Sequence, residues 1–152
     1  MLNELDVGII ELLQVDARLS HEDLASRLGV DVATITSHIK TLEETGVLKG
    51  YSAVVDSSKV GLDLTALTLI QVDGDHLAEV EDRLSRLDEV YCIYFVTGEF
   101  DLAVMGRFPN RDALNNFISD LLSDPHVEKT ETSIVLKSVK EDFRVKVPKS
   151  PS

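Results

Sequence analysis

The sequence predicts an α+β protein of two domains, a winged helix-turn-helix domain followed by a βαββαβ domain of the ferredoxin-like type. Residues 19–51 show two short helical patterns, separated by a glycine turn and followed by a strand-like run. From residue 65 onward, four strand-like runs alternate with two helical patterns, and apolar positions recur at a spacing of 37 residues, as between Leu77 and Leu114. This weak internal repeat supports the doubled β-α-β order.

The N-terminal part predicts a three-helix bundle. The first helix is expected over residues 2–15, where Leu5 and Ile9 begin a series of apolar residues at helical spacing. Asn3 or Asp6 can serve as a start signal for this helix. Together with the next two helices, it would enclose one apolar core.

The second and third helices carry clear start and stop signals. Ser20 can cap the second helix and Asp31 the third, because their side-chain oxygens can accept hydrogen bonds from free backbone amides. Gly29 and Gly46 can end them, since glycine tolerates the left-handed conformation at a helix end. The third helix has a narrow apolar side made of Val32, Ile35, Ile39 and Leu42.

The other side of the third helix is small and rich in hydroxyl groups. In a helix-turn-helix, the second helix of the motif enters the DNA major groove, and small polar side chains allow close approach to phosphates and base edges. An ordinary helical hairpin would show the same spacing and stays open as an alternative. The predicted DNA contacts are Ser20, Ala33, Thr34, Thr36, Ser37, His38, Lys40, Thr41 and Lys49.

Residues 47–56 are predicted to form the strand that marks a winged variant. The expected organisation is a DNA-binding domain over residues 1–56, a linker over 57–64, an effector-binding and oligomerisation domain over 65–140 and a tail over 141–152. The tail is interpreted either as a frayed, solvated end or as a strand exchanged with a neighbouring subunit.

In the second domain, strands are predicted over residues 65–73, 90–97, 101–108 and 127–137, and helices over 76–87 and 111–122. Both helices would pack on one face of an antiparallel sheet. The other face is expected to carry Leu69, Ile93, Phe95, Val104 and Val135. An apolar face of this size needs cover, so we expect at least a dimer.

Composition excludes several classes of protein. No apolar run approaches the length of a membrane span, and the N-terminus has no basic region typical of a signal peptide. The single cysteine, Cys92, allows no internal disulfide and fits a reducing cytoplasm. We therefore expect a cytoplasmic protein that is not associated with a membrane.

The net charge of −12 argues against a simple basic DNA-binding surface. Residues 1–60 contain five basic and ten acidic residues, so the predicted DNA-reading domain is itself acidic. A few well-placed basic groups, the summed contacts of a multimer or a high intracellular salt concentration would each reconcile this charge with DNA binding.

Several motifs resemble the Lrp/AsnC family of transcription regulators, also called feast/famine regulatory proteins. The similar segments include LDVGIIELLQVDARLS, LASRLGV, IKTLEETGVLKGY and the hairpin Thr97-Gly98-Glu99-Phe100-Asp101. The resemblance covers residues 2–142, and the hairpin stretch YFVTGEFDLAVMGRF looks closest to archaeal members.

The resemblance implies binding to double-stranded DNA and dimers that assemble into octamers. It also implies an amino acid or related small effector bound between C-terminal domains of the type called RAM. The effector-binding residues carried over are Thr97, Gly98, Glu99, Phe100, Asp101, Thr130 and Thr132. The alternative is that Gly98 and Asp101 only shape the hairpin.

Two positions depart from the family pattern. Asp31 stands where serine usually begins the recognition helix, and His38 stands where arginine is common. A histidine there would weaken contacts to phosphate or guanine and make DNA binding sensitive to pH.

Two rival functions stay open. One is an effector sensor with weak or lost DNA binding, which the acidic first domain favours. The other is an enzyme similar to sirohaem decarboxylases, which share the two-domain architecture. No nucleophile–base pair or metal-ligand spacing is visible, and the four histidines show no pairing in sequence. We therefore expect a protein that is not an enzyme, with no cofactor and no metal.

Overall fold

The structure, a computed structural model, describes residues 2–148. Its internal contacts divide the described chain into two compact parts. We call residues 2–54 together with 141–148 the helical unit, and residues 55–140 the sheet unit. Among residues 2–148, no helix is long and apolar enough to cross a lipid bilayer.

Helix α1 (Glu4–Val15) begins with a reciprocal pair of hydrogen bonds. The Asn3 side chain accepts a hydrogen bond from the backbone N–H of Asp6, and the Asp6 carboxylate accepts one from the backbone N–H of Asn3. This capping box satisfies two amides that the first turn of a helix leaves free. The predicted role of Asn3 and Asp6 near the start of α1 is confirmed, although the helix begins at Glu4 rather than at Leu2.

Helices α2 (His21–Leu28) and α3 (Val32–Glu44) also begin as predicted. Ser20 caps α2, and the Asp31 side chain accepts a hydrogen bond from the backbone N–H of Thr34 at the start of α3. Gly29 has a φ of 69° after α2, in the left-handed region that favours glycine. The three helices enclose a core whose buried members are Ile9, Ile10, Leu13, Leu24, Ala25, Ile35, Ile39, Leu42 and Val147.

The strand predicted over residues 47–56 is absent, although the structure describes all of these residues. Their β-branched and aromatic residues favour a strand, but a strand needs a neighbour to pair with its backbone. Leu48 packs against the helical core, whereas Val54 and Val55 are exposed, so the later part of this segment has no packing partner in that core. The prediction was therefore wrong for this part of the described chain.

The described part of the tail packs against the helical bundle. The Gln14 side chain donates to the Val145 carbonyl at 3.0 Å and accepts from the Val145 backbone N–H at 2.6 Å. Val147 is only 9% exposed and belongs to the helical core. The prediction of a frayed end was therefore wrong for residues 145–147. The last four residues of the tail lie outside the described chain.

The sheet unit has the predicted βαββαβ order. A short 3-10 helix (Ser58–Val60) precedes it, and its elements are β1 (Leu64–Val72), α4 (Leu77–Ser85), β2 (Val90–Phe95), β3 (Leu102–Phe108), α5 (Arg111–Ser123) and β4 (Val127–Ile134). A second short 3-10 helix (Gly74–His76) lies between β1 and α4. The strands form one antiparallel sheet in the order β2-β3-β1-β4.

The sheet has one face buried beneath α4 and α5 and one open face. Alternate residues of β1 and β3, such as Ile70 and Leu102, are fully buried against the helices. Val104 lies in this buried layer, Ile93 packs against it, and Phe95 is paired with the buried Leu102. The predicted place of these three residues on the open face was therefore wrong. The alternation of a strand places Leu67, Leu69, Ala103, Met105 and Tyr94 on the open face.

Candidate functional site

Helix α3 separates a buried apolar side from a polar outer side. Ile35, Ile39 and Leu42 are buried in the helical core. The predicted outer residues Ala33, Thr36, Ser37, Lys40 and Thr41 are exposed. Apart from Lys40, these side chains are short, so a phosphate or a base edge could approach the helix backbone closely.

Several hydroxyl groups on this surface already make local hydrogen bonds. Thr34 donates to the Asp31 carboxylate at 2.7 Å, and Thr41 donates to the Ser37 carbonyl at 3.0 Å. The Thr36 hydroxyl donates to the Val32 carbonyl. Each hydroxyl keeps acceptor capacity after donating, and these bonds hold its position. Ser20 is used in the same way, because its hydroxyl donates to Asp23 as well as capping α2.

His38 does not lie on the outer side of α3, and the predicted placement was wrong. Its Nδ1 atom lies 2.7 Å from the Asp6 carboxylate, and its side chain is 26% exposed. Residue 38 follows the buried Ile35 by three positions, which places it at the border of the apolar side. Burial alone would raise the pKa of Asp6, but hydrogen bonds from the Asn3 backbone and His38 lower it below its ordinary value.

The helical unit is acidic even with its packed tail. Its described residues include six basic and eleven acidic side chains, which gives a net charge of −5. Lys40 lies 3.7 Å from Glu44, so its charge is partly balanced on the same helix. The tail adds Arg144 and Lys146, but it also adds two acidic residues, and Arg144 pairs with Asp142. The expected acidity is confirmed for the described chain.

Tyr51, in the GY motif that follows α3, is tied back to that helix. Its hydroxyl donates to the Glu43 carboxylate at 2.9 Å. Partial burial and this hydrogen bond raise the pKa of Tyr51 to about 12. The contact fixes the path of the chain as it leaves the helix-turn-helix.

The predicted effector turn connects β2 and β3. The backbone N–H of Val96 donates to the Asp101 carbonyl at 2.8 Å, and Gly98 has a φ of 130°. The Asp101 carboxylate accepts a hydrogen bond from the backbone N–H of Val72 at 2.9 Å. Asp101 therefore joins this turn to the end of β1, which is the structural role left open by the sequence.

Lys129 also belongs to this turn, and sequence reasoning missed it. Its Nζ atom lies 2.6 Å from the Glu99 carboxylate and 4.9 Å from the centre of the Phe100 ring. Both charged side chains are more than half exposed. A basic residue directly before the predicted Thr130 was the available signal. The pair places opposite charges side by side at the predicted effector turn.

The two predicted threonines lie on β4, which is separated from the β2–β3 turn by strand β1. Thr132 pairs with Thr68 across the sheet, and their hydroxyl oxygens are 3.0 Å apart on the helix-covered face. Thr130 is opposite Ile70, whose carbonyl accepts a hydrogen bond from the Asp101 N–H. Thr97 and Gly98 are exposed at the turn. Within one sheet unit, the structure thus brings Glu99, Phe100 and Lys129 together, while the threonines point to the opposite face from Lys129.

Three side chains that no sequence motif connected also meet in the sheet unit. Asp73, His76 and His126 offer ligand atoms that all lie within 4.8 Å of one another. The sequence shows no metal-ligand spacing and no paired histidines, but the fold brings two histidines and an aspartate together.

Two family models match the chain. The Lrp/AsnC ligand binding domain matches residues 65–145, and a winged helix-turn-helix DNA-binding domain matches residues 2–49. The chain belongs to the Lrp/AsnC family. An HTH-type transcriptional regulator from Pyrococcus abyssi is 43% identical over 145 residues, which cover 95% of this chain and 99% of that protein.

Solved structures agree with this family membership. A transcriptional regulator from Neisseria meningitidis, solved in complex with L-Met, is 26% identical with a TM-score of 0.88, covering 95% of this chain and 96% of that chain. AsnC from Escherichia coli is 26% identical with a TM-score of 0.85, covering 93% and 96%. The protein is thus an Lrp/AsnC-type transcription regulator with a helix-turn-helix domain and a ligand-binding domain.

Proposed function

We propose that this Lrp/AsnC-type regulator binds specific DNA sequences through α3 and that a small amino acid effector modulates this binding. The observation that carries the proposal is the outer side of α3, where small polar side chains are exposed and held in place by local hydrogen bonds. The remaining predicted contacts, Ser20 and Lys49, lie before α2 and after α3.

The charge of the helical unit shapes the expected mode of binding. With a net charge of −5, nonspecific attraction to phosphates is weak, so affinity must come from local contacts and from several subunits acting together. We expect binding to weaken as salt increases, with a shallow slope because few basic groups displace counterions. A steep slope would contradict this view.

The DNA-reading role of α3 is testable with two exposed outer residues. An operator would be selected from a random duplex pool, and binding would be measured by fluorescence anisotropy. We expect Ser37→Ala combined with Lys40→Ala to weaken operator binding at least tenfold. Ser119→Ala combined with Lys137→Ala, which changes the same residue types in the sheet unit, should bind as the wild type does. Equal affinities for both variants would remove α3 from the reading role.

The acidity of the helical unit also favours a second candidate, an effector sensor with weak or lost DNA binding. The same selection separates the two candidates. Failure to enrich any duplex at low salt, with effector binding intact, would favour the sensor.

The Glu99–Lys129 pair supports an amino acid as the effector. A free amino acid carries one carboxylate and one ammonium group, which match Lys129 and Glu99 in charge. An exposed ion pair contributes little to stability, so the ligand can replace it at low cost. Exposed amides near Gly98 could hold the carboxylate further, while Asp101 ties the turn to the end of β1.

Isothermal titration with each of the twenty amino acids tests the effector site. We expect Lys129→Ala and Glu99→Gln each to weaken binding of the responding amino acid at least tenfold, because each removes one complementary charge. Lys137→Ala is the matched control and should leave binding unchanged. Unaltered affinity in both test variants would place the effector elsewhere.

We propose that the open face of the sheet is the dimer interface and that dimers assemble further, up to octamers. The face carries Leu67, Leu69 and Met105, side chains that favour burial against another apolar surface. Light-scattering mass tests this proposal. We expect Leu69→Glu to shift the mass to a monomer, while Leu122→Glu, at an exposed position on α5, should leave it unchanged. A monomeric wild type would contradict the proposed assembly.

A further inference from the structure

Two histidines that are fifty positions apart in the sequence stack against each other in the sheet unit. The ring centres of His76 and His126 are 3.6 Å apart, and the ring planes differ by 21°. His76 ends the short 3-10 helix after β1, and His126 directly precedes β4. Asp73, at the end of β1, completes a group whose ligand atoms all lie within 4.8 Å of one another.

One nitrogen of this group lacks the partner that burial usually demands. His76 Nδ1 is buried and has no hydrogen-bond partner among the described residues. The Glu79 carboxylate lies 3.6 Å away, which is close enough for an ion pair with a charged ring but beyond hydrogen-bond distance. A buried polar atom without a partner costs free energy, so a ligand bound at this nitrogen would satisfy it.

The backbone around the group is fixed by hydrogen bonds. The Asp73 N–H donates to the His126 carbonyl at 2.9 Å, and the His76 N–H donates to the Asp73 carbonyl at 2.9 Å. The three residues are therefore joined through their main chains, independently of their side chains. This arrangement fixes the main-chain positions of the three residues, so side-chain rotation that unstacks the two rings would bring the three ligand atoms onto one ion.

A second layer of contacts supports His126. The Asp124 carboxylate accepts a hydrogen bond from the His126 N–H at 2.9 Å and pairs with Arg83 of α4 at 2.8 Å. Outer contacts of this kind orient the ligands in metal sites and affect metal affinity. The chain thus positions both the candidate ligands and the segment that carries them.

We propose that Asp73, His76 and His126 bind one divalent transition-metal ion, with Zn²⁺ as the favoured species. Two imidazole nitrogens and one carboxylate oxygen form a ligand set that zinc accepts, with bonds of about 2.0–2.2 Å. Four-coordinate zinc then keeps a position for water or for a group from another molecule. The ion would join the connection after β1 to the start of β4 within the ligand-binding domain.

Metal titration of the full chain tests this proposal. Chelator-treated protein would be titrated with Zn²⁺ by calorimetry, and with Co²⁺ while its visible absorption is recorded. We expect one ion per chain, and at least tenfold weaker binding in His76→Gln and His126→Gln. Glutamine is similar in size to histidine but is a poor zinc ligand, so these variants preserve packing. His21→Gln, which changes a histidine of the helical unit, is the matched control and should bind normally.

Two further measurements separate a ligand from a structural histidine. His126→Cys should keep Zn²⁺ binding and give the intense absorption of a Co²⁺–thiolate bond, because cysteine can replace histidine as a ligand. Binding should also fall on acidification, since a protonated imidazole cannot hold a metal. No binding by the wild type, or equal binding by wild type and the His76→Gln/His126→Gln double variant, would overturn the proposal.

Discussion

The connections β1–α4 and β3–α5 occupy equivalent places in the internal repeat, but they are built differently. At the second connection, the Asn110 side chain accepts a hydrogen bond from the Ala113 N–H at 2.9 Å, and α5 starts at the next residue. Asp73 is the equivalent residue of the first connection, and it makes no side-chain cap bond to the described backbone. A short 3-10 helix follows, and α4 starts only at Leu77.

The difference shows that the start of α4 lacks the stabilising side-chain cap that α5 has. A capped start stabilises a helix, and α5 has thirteen residues, whereas α4 has nine and no side-chain cap. At the same place, Asp73 and His76 meet His126. Local departures from the best folding choice are expected where a site has another use. The comparison therefore supports the proposed metal site from an observation independent of its ligand distances.

The largest effect is expected in the apolar core beneath α5. Phe117 of α5 is 5% exposed, and its ring lies 5.3 Å from that of Phe108. Phe117→Ala should lower the free energy of unfolding by about 3–5 kcal/mol, because it removes a buried ring and leaves a cavity. Val80 is its equivalent in α4, and Val80→Ala should cost less because fewer atoms are removed. Chemical denaturation measures both, and equal losses would contradict the predicted difference.

A smaller effect is expected at the capped helix start. Asn110→Ala should lower the free energy of unfolding by about 1 kcal/mol, because the Ala113 amide loses its acceptor. Asn110→Asp should keep most of the stability, since an aspartate can cap in the same way. Thermal unfolding would measure both variants. A stable Asn110→Ala variant would show that the cap contributes little to α5.

Features that depend on residues close together in the sequence could be predicted from it. The caps at Asn3, Ser20 and Asp31 were predictable because each involves residues within one helical turn. The apolar periodicity gave the βαββαβ order for the same reason. The strand over residues 47–56 failed because local preference cannot supply a partner strand.

Contacts between distant residues could not be predicted from local patterns. His38 meets Asp6, and Lys129 meets Glu99, only because of how helices pack and strands align. The pairing of His76 with His126 likewise depends on β1 and β4 being neighbours in the sheet. The order of strands and helices along the chain was predicted, but which side chains meet at the end of a strand depends on the arrangement of the strands in the sheet, on register and on turn geometry.

A third helix start extends the comparison to pH. The pKa of Asp31 is lowered, first by the hydrogen bond from the Thr34 hydroxyl and then by that from the Thr34 backbone. A carboxyl whose pKa is lowered in the folded state stabilises the fold at pH values above its ordinary pKa of 3.8. This stabilisation is lost as the pH falls through the folded pKa. Asn110 has no charge to lose, so the cap of α5 should not respond in this way.

Asp31→Asn should keep the cap but remove its dependence on acid. The amide NMR signal of Thr34 should shift below pH 3.8 in the wild type, because its N–H bonds to the Asp31 carboxylate. The shift should be absent in the variant, while the Ala113 signal serves as the control in both proteins. A persistent shift in Asp31→Asn would mean that another group causes it.

The smallest effect is expected at the uncapped start, and it bears most directly on the difference between the connections. In metal-free protein, Asp73→Ala should change the free energy of unfolding by less than about 0.5 kcal/mol, because the side chain makes no cap bond that would be lost. The backbone bonds of residue 73 to His76 and His126 remain in the variant. A loss near that of Asn110→Ala would show that Asp73 caps its helix after all. A near-zero change, measured beside loss of Zn²⁺ binding in the same variant, would separate ligand binding from folding at this residue.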